Sequence, residues 1–290
     1  MKILLIGHSI IDNIEKEGGY QIFPGGIFYS LLGMMAVNKS HNQIFLATGY
    51  NKKSYHLFEK LYSKVNLKYS QLVEDLPEVF LEVLDNEERK ETYKNLSTGL
   101  SLDRINDWNQ FDGILINMIT GFDISLEQLK WIRTKYSGPI YFDLHTLSRG
   151  IDSNLERNFR LLPSAEDWLQ NIDIVQCNEM EVKTLSANKN EIEIAKHVLD
   201  LGVKYLIVTK GGKGASIYYK ENSIIKYLSE PAKTVDVINH IGCGDIFGAV
   251  FFYNYLYRQD AETSLEEAID ISGRAVSINI SENISLILND

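Results

Sequence analysis

The stretch Asn239-His240-Ile241-Gly242-Cys243-Gly244-Asp245-Ile246-Phe247-Gly248-Ala249-Val250 sets two glycines, one residue apart, directly before a carboxylate and an apolar run of helical character. Glycines so spaced let the backbone turn without Cβ obstruction, so the amides of Gly242, Cys243 and Gly244 can converge on an anion. Asp245 then stands where the helix begins. The unpaired amides and dipole of a helix N-terminus favour negative charge by about 0.3–2 kcal/mol, so one such end can hold both a phosphoryl group and an ionised aspartate. An aspartate placed there can take the proton of an alcohol. The same residues also read as a plain glycine turn with an aspartate cap, and the stretch by itself leaves both readings open.

Working outward, apolar runs at Ile44–Ala47, Gly113–Met118, Ile140–Phe142, Ile172–Gln176 and Tyr205–Val208 are separated by helix-length segments. That alternation predicts a mostly parallel central sheet covered by helices, an α/β fold. Met1-Lys2-Ile3-Leu4-Leu5-Ile6-Gly7 reads as a buried first strand, its apolar run too short for a signal peptide core or a membrane span. Capping-box patterns at Ser125-Leu126-Glu127-Gln128 and Thr263-Ser264-Leu265-Glu266 predict helix starts, which makes the helix opened by Asp245 the penultimate long one. Phe251-Phe252-Tyr253 and Tyr255-Leu256-Tyr257 have the spacing of core aromatics on that helix. Two stretches, Glu15–Phe23 and Glu78–Asn95, break the alternation, the second like a hairpin around Asp85-Asn86-Glu87-Glu88. They read as lid strands on a single domain spanning residues 1–290, with an ungated surface hairpin as the alternative.

A chain of 290 residues, 44% hydrophobic and 23% charged, is ample for one α/β domain with a small appendage. A net charge of −10 argues against an extended nucleic-acid or anionic-membrane surface, because either needs a basic face. Cys177 and Cys243 form no Cys-x-x-Cys pair, so neither a zinc site nor a disulfide framework is indicated and a reducing cytoplasm is the expectation. The six histidines offer no paired spacing for imidazole metal ligation.

Gly-Cys-Gly-Asp before a helix of small and apolar residues resembles the signature of the ribokinase-like, or phosphofructokinase B type, carbohydrate kinases, whose usual form is Asp-Thr-Thr-Gly-Ala-Gly-Asp. Asn239, His240 and Ile241 replace the first three positions, and Cys243 takes the alanine position. Other stretches match the family in order: Gly7-His8-Ser9-Ile10-Ile11-Asp12, Pro24-Gly25-Gly26-Ile27-Phe28-Tyr29-Ser30, Asn178-Glu179-Met180-Glu181 and Val208-Thr209-Lys210-Gly211-Gly212-Lys213-Gly214-Ala215. The likeness covers essentially the whole chain. It implies a three-layer α/β/α ribokinase-like fold with a small β lid, and an ATP- and Mg²⁺-dependent kinase acting on a hydroxyl of a sugar-like small molecule. It further implies Asp245 as general base and Gly242, Cys243 and Gly244 as an anion hole.

By the same resemblance Asn178, Thr209, Gly211 and Gly214 bind the nucleotide, Glu181 orients Mg²⁺ through water, and Asp12, Gly25, Gly26 and Ser30 bind the acceptor. Asn178 and Glu181 also read as a helix cap with a solvated acid, and Gly211–Gly214 as a hairpin turn. Ser30 stands where the family has asparagine, which puts ribose specificity in question. Asp143-Leu144-His145-Thr146-Leu147-Ser148-Arg149 is a loosened form of the family's Asp-x-Asn-x-Arg, with His145 in the asparagine's place. Asn239 replaces an aspartate that often helps hold a monovalent cation, so K⁺ activation is expected to be weak or absent. Gly244→Ala is expected to be severe. No P-loop pattern and no Gly-x-Gly-x-x-Gly after the first strand is present. Two alternatives stay open: a nucleoside or vitamin-precursor kinase of this fold, and a catalytically silent sugar- or nucleotide-binding protein. The lid face could pair between subunits as a homodimer.

Overall fold

Consecutive side chains of the strand Lys2–Ile6 enter different cores, Ile3 and Leu5 one of them, Leu4 and Ile6 the other. Leu115 is set apart in the same way from Ile114 and Ile116, and Ile207 from Leu206 and Val208. Strands buried on both faces form the middle of three layers, which is why they read as continuous apolar runs.

The computed structural model describes residues 1–16, 19–39, 41–82, 90–96, 99–153, 156–188, 190–238, 240–278 and 280–288. The chain begins with β1 (Lys2–Ile6), β2 (Ser9–Lys16), β3 (Gly19–Gly26), α1 (Ile27–Val37), β4 (Gln43–Ala47), β5 (Gly49–Tyr50), α2 (Tyr55–Tyr62) and β6 (Gln71–Leu72). It continues through β7 (Glu78–Glu82), β8 (Lys90–Lys94), β9 (Gly113–Asn117), α3 (Leu126–Lys135), β10 (Ile140–Asp143), β11 (Arg149–Ile151), β12 (Arg157–Phe159) and α4 (Ala165–Leu169). Then come β13 (Ile174–Asn178), α5 (Glu191–Asp200), β14 (Tyr205–Thr209), β15 (Ala215–Glu221), β16 (Ile224–Glu230), α6 (Cys243–Arg258), α7 (Ala261–Val276) and α8 (Ile280–Leu288).

Eight strands form the main sheet in the order β16-β15-β14-β13-β10-β9-β1-β4. The six from β14 to β4 are parallel, and β15 and β16 extend the sheet antiparallel. Side chains of α1, α2, α6, α7 and α8 fill one core, and those of α4, α5 and α3 the other. The fold is thus the three-layer α/β/α arrangement that the motifs imply. Among the described residues no helix is long and apolar enough to cross a membrane.

A second sheet, ordered β3-β2-β7-β8, stands on the carboxyl edge of the first. Residues from both stretches that break the alternation contribute to it, and β2 begins at Ser9, earlier than the pattern suggests. The proposed tip at Asp85-Asn86-Glu87-Glu88 lies outside the described residues. Val79 and Leu81 of β7 and Tyr93 of β8 pack into the α6-side core.

At α3 the capping box is present in full: Gln128 N donates to Ser125 Oγ (3.1 Å), and Ser125 N donates to Gln128 Oε1 (2.9 Å). The expected start at Thr263 is corrected. The cap of α7 is Asp260, whose carboxylate accepts from Glu262 N (3.1 Å) and Thr263 Oγ1 (2.5 Å), so Thr263 supports a cap three residues upstream. Because α8 follows α7, the helix opened by Asp245 is third from the C-terminus. Phe251, Phe252 and Tyr253 are buried as the spacing predicts, while Tyr257 is exposed and takes Lys39 over its ring.

Candidate active site

Strands of the parallel sheet end on polar residues at one edge: Asn117 closes β9, Asp143 β10, Asn178 β13 and Thr209 β14. Ligands of open α/β sheets bind beyond this carboxyl edge. The N-terminus of α6 reaches the same place, entered through Gly242 with φ 76° and no side-chain cap. Its first-turn amides therefore face the edge outside the helix's own hydrogen-bond ladder.

Two cavities meet there. One, of about 30 Å³, lies beneath the second sheet and is lined by Asp12, Tyr29, Glu91 and Tyr93 among others. The other, of about 250 Å³, is lined by Asp143, Gln176, Asn178, Glu181 and Thr209 among others. Asp245, Gly242 and His145 line both, so Asp245 stands in the wall between them.

Asp245 is held from the sheet side by Asn117, whose Nδ2 donates to Asp245 Oδ1 (2.6 Å) and to Ser30 Oγ (2.9 Å). Gln176 Nε2 donates to Asp143 Oδ2 (2.9 Å) and to the carbonyl of Gly244 (3.0 Å), while Tyr141 OH donates to Gln176 Oε1. Burial pushes the Asp143 carboxyl well above the usual range, and the nearby negative charges of Asp245 and Glu181 push it further. His145 takes φ 36°, a left-handed conformation, and its neighbour Thr146 pins the turn by donating to the carbonyls of Met118 (2.6 Å) and Ile119 (2.7 Å).

Asn178 and Glu181 form a reciprocal pair after β13. The Asn178 carbonyl oxygen accepts from Met180 N (2.8 Å) and Glu181 N (2.9 Å), and a carboxylate oxygen of Glu181 accepts from Asn178 N (2.9 Å). The capping geometry that sequence offers as the bland alternative is thus present, and the pair still lines the larger cavity. A purely solvated acid it is not, since Glu181 is buried.

The structure gathers Asp12 and Gly26 at the smaller cavity, and Asn178, Glu181, Thr209 and Gly244 at the larger. Gly25 lies against the carboxylate of Asp12, with no room for a side chain. Ser30 is buried behind Asn117 and lines neither cavity. Gly211 and Gly214 form the turn joining β14 to antiparallel β15, and neither lines the larger cavity. The half-buried Cys243 lies with Sγ 4.0 Å from the carbonyl of Ile241, and Asn239 is outside the described residues. Sequence reading missed Asn117, Gln176, Glu91 and Tyr93. A polar residue at or near the end of an otherwise apolar strand is the signal that marks Asn117 and Gln176.

Two cavities beyond a parallel sheet's carboxyl edge thus meet at one aspartate on a helix N-terminus, and the relatives of the chain with this fold are phosphotransferases acting on a sugar hydroxyl. Residues 143–282 match the model of the pfkB family carbohydrate kinases, and the fold over the whole chain is that of solved ribokinases. A fructokinase of Rhizobium leguminosarum bv. trifolii is 31% identical over 77 residues, which spans 27% of this chain and 22% of that protein. Fructosamine kinase FrlD of Bacillus subtilis (strain 168) is 20% identical over 284 residues, spanning 96% of this chain and 92% of that one. The ribokinase structure from Thermotoga maritima superposes with a TM-score of 0.71 at 20% identity, covering 100% of this chain and 99% of that one.

Proposed function

We propose that the chain transfers the γ-phosphoryl group of ATP to a hydroxyl of an unphosphorylated sugar or sugar-like small molecule, with Asp245 as general base. The observation that carries this reading is the shared wall: Asp245, Gly242 and His145 face both cavities. In-line transfer needs acceptor and donor on opposite sides of one point, and positioning supplies much of the rate. Asp245 accepts the proton of the attacking hydroxyl, an effect typically worth about 10²–10⁴ in rate. The amides of Gly242, Cys243 and Gly244, with the dipole of α6, face the charge that develops on the transferred group. One preorganised donor of this kind is typically worth about 2.7–4 kcal/mol.

Mg²⁺ bound with the nucleotide would supply neutralisation of the phosphate charge, and Glu181 and Asn178 would hold it through water. Among the described residues no three acidic, cysteine or histidine side chains cluster as a metal cage. This suits an ion that keeps most of its water and phosphate ligands, with Glu181 and Asn178 orienting its hydration shell. Thr209 faces the donor, while Gly211 and Gly214 shape the turn beyond it.

Asp12, backed by Gly25 and Gly26, accepts acceptor hydroxyls, and a carboxylate can take two at once. Charge narrows the acceptor further. Among the described residues the smaller cavity is lined by Asp12, Glu91 and Asp245 and by no lysine or arginine, a surface that disfavours a sugar phosphate. The names of the two relatives point to sugar acceptors as well.

The test is ADP formation from Mg-ATP over neutral sugars, polyols, sugar phosphates, nucleosides and vitamin precursors, with Asp245→Asn run beside the wild type. Turnover of a neutral sugar-like acceptor, lost in the variant, is the expected result. Preference for a sugar phosphate or a nucleoside would overturn the acceptor class, and a fully active Asp245→Asn would overturn the base.

A further inference from the structure

We infer that Asn117 is a positioning residue that aims Asp245 at the acceptor hydroxyl, an inference that rests on Asp245 being the base. Asn117 ends β9, is fully buried, and lies in the sheet between β1 and β10. Its amide nitrogen reaches two elements at once, donating to Asp245 Oδ1 on α6 at 2.6 Å and to Ser30 Oγ on α1 at 2.9 Å. An ionised carboxylate only accepts hydrogen bonds, so the NH₂ end must face Asp245 and the orientation of the amide is settled by chemistry.

That orientation leaves Asn117 Oδ1 buried with no hydrogen-bond partner among the described residues. A side chain present only to fill the core would avoid such a loss by being apolar. The unsatisfied oxygen marks the residue as kept for its NH₂ end. Ser30, which stands in the family's asparagine position, backs Asn117 from behind and thereby joins the base to α1.

A donor on one carboxylate oxygen fixes the plane of the group and favours its ionised form. Other charges bear on Asp245 as well. Glu181 after β13, Asp12 on β2 and Glu91 on β8 bring negative charge to the two cavities, and the carboxyl of Asp143 on β10, pushed up by burial, lines the larger one. Arg149 brings positive charge, and the imidazoles of His145 and His240 also line these cavities. Against that mixed field, Asn117 is a neutral donor seated directly on the base, and its removal is expected to raise the pH at which the base becomes ionised.

The experiment is the pH dependence of kcat and kcat/KM, with the best acceptor found in the panel, for wild type, Asn117→Ala, Asn117→Asp and Asp245→Asn. Thermal unfolding is followed beside it. For Asn117→Ala we expect kcat to fall about 10- to 100-fold, with both KM values within about twofold and the acid limb moved up by about one pH unit. Asn117→Asp keeps the shape and sets a second carboxylate against the first, so its acid limb moves further. It serves as the deciding variant if the alanine protein does not fold. An unmoved acid limb in a folded variant would overturn the inference, as would a loss confined to KM. Inactive Asp245→Asn beside a wild-type profile for Asn117→Asp rejects this inference alone, whereas active Asp245→Asn rejects the base itself.

Discussion

At Gly242 the chain must turn into α6 with φ 76° while lying flat against the ring of Tyr29, so both backbone and space demand glycine. Gly244 differs. A Cβ there meets only Gln176 Nε2, at 3.9 Å, and the position is already helical, where alanine is the better residue. The expectation that Gly244→Ala is severe is therefore corrected as far as packing is concerned, because the strict position is two residues earlier. Gly242→Ala should lose about 1–3 kcal/mol of stability and at least about tenfold in kcat, whereas Gly244→Ala should keep its folding stability to within about 0.5 kcal/mol. Urea unfolding and steady-state kinetics on the two variants decide it, and equal destabilisation by both would refute the distinction.

Between elements, the turn after β1 and the turn after β9 are tied by a buried contact of His8 with Asp123. His8 Nδ1 lies 2.9 Å from Asp123 Oδ1, and the same carboxylate accepts from His8 N (2.7 Å) and Thr120 N (2.9 Å). Burial alone would raise the Asp123 carboxyl, but the His8 charge and these hydrogen bonds outweigh it and hold it below the ordinary value. A carboxyl depressed in the folded state stabilises above its unfolded pKa of about 3.9, and that stability is lost as pH falls through the folded value. Asp123→Asn should therefore cost on the order of 3 kcal/mol at pH 7, with the gap from wild type closing as the pH drops below about 4. Unfolding curves from pH 7 to pH 3 measure it. A gap that stays constant across the range would show that the pair contributes through shape rather than charge.

Over the whole molecule, the four-stranded sheet is fastened to the large domain. Arg149 lies 3.6 Å from Glu91 of β8, Arg157 stacks on Tyr93 at 4.7 Å and donates to the carbonyl of Thr120, and Thr92 bridges to Glu156. The cavity beneath is about 30 Å³, so the proposed acceptor would enter it only if this sheet lifted, and closure would then keep water from the phosphoryl group. Arg157→Ala should loosen the fastening, raising the acceptor KM and increasing ADP release without acceptor by about three- to tenfold. Unchanged hydrolysis in that variant would mean the cover does not exclude water.

Sequence alone settled the alternation of strands and helices, because a strand buried on both faces must be apolar throughout and ends where polar residues resume. It also marked Asp245, because the glycines before it stand in a series of motifs in family order, and the capping box at Ser125, since that pairing is local. Tertiary structure decided what depends on distant segments meeting. Asn117 and Asp245 are far apart along the chain, and only the packing of α6 over β9 brings the amide to the carboxylate. Ser30 reads as an acceptor contact by its place in a motif, yet in the fold its hydroxyl accepts from Asn117 Nδ2. The acceptor wall formed by Glu91 and Tyr93 depended on a second sheet folding over the first, a long-range pairing that no local spacing encodes.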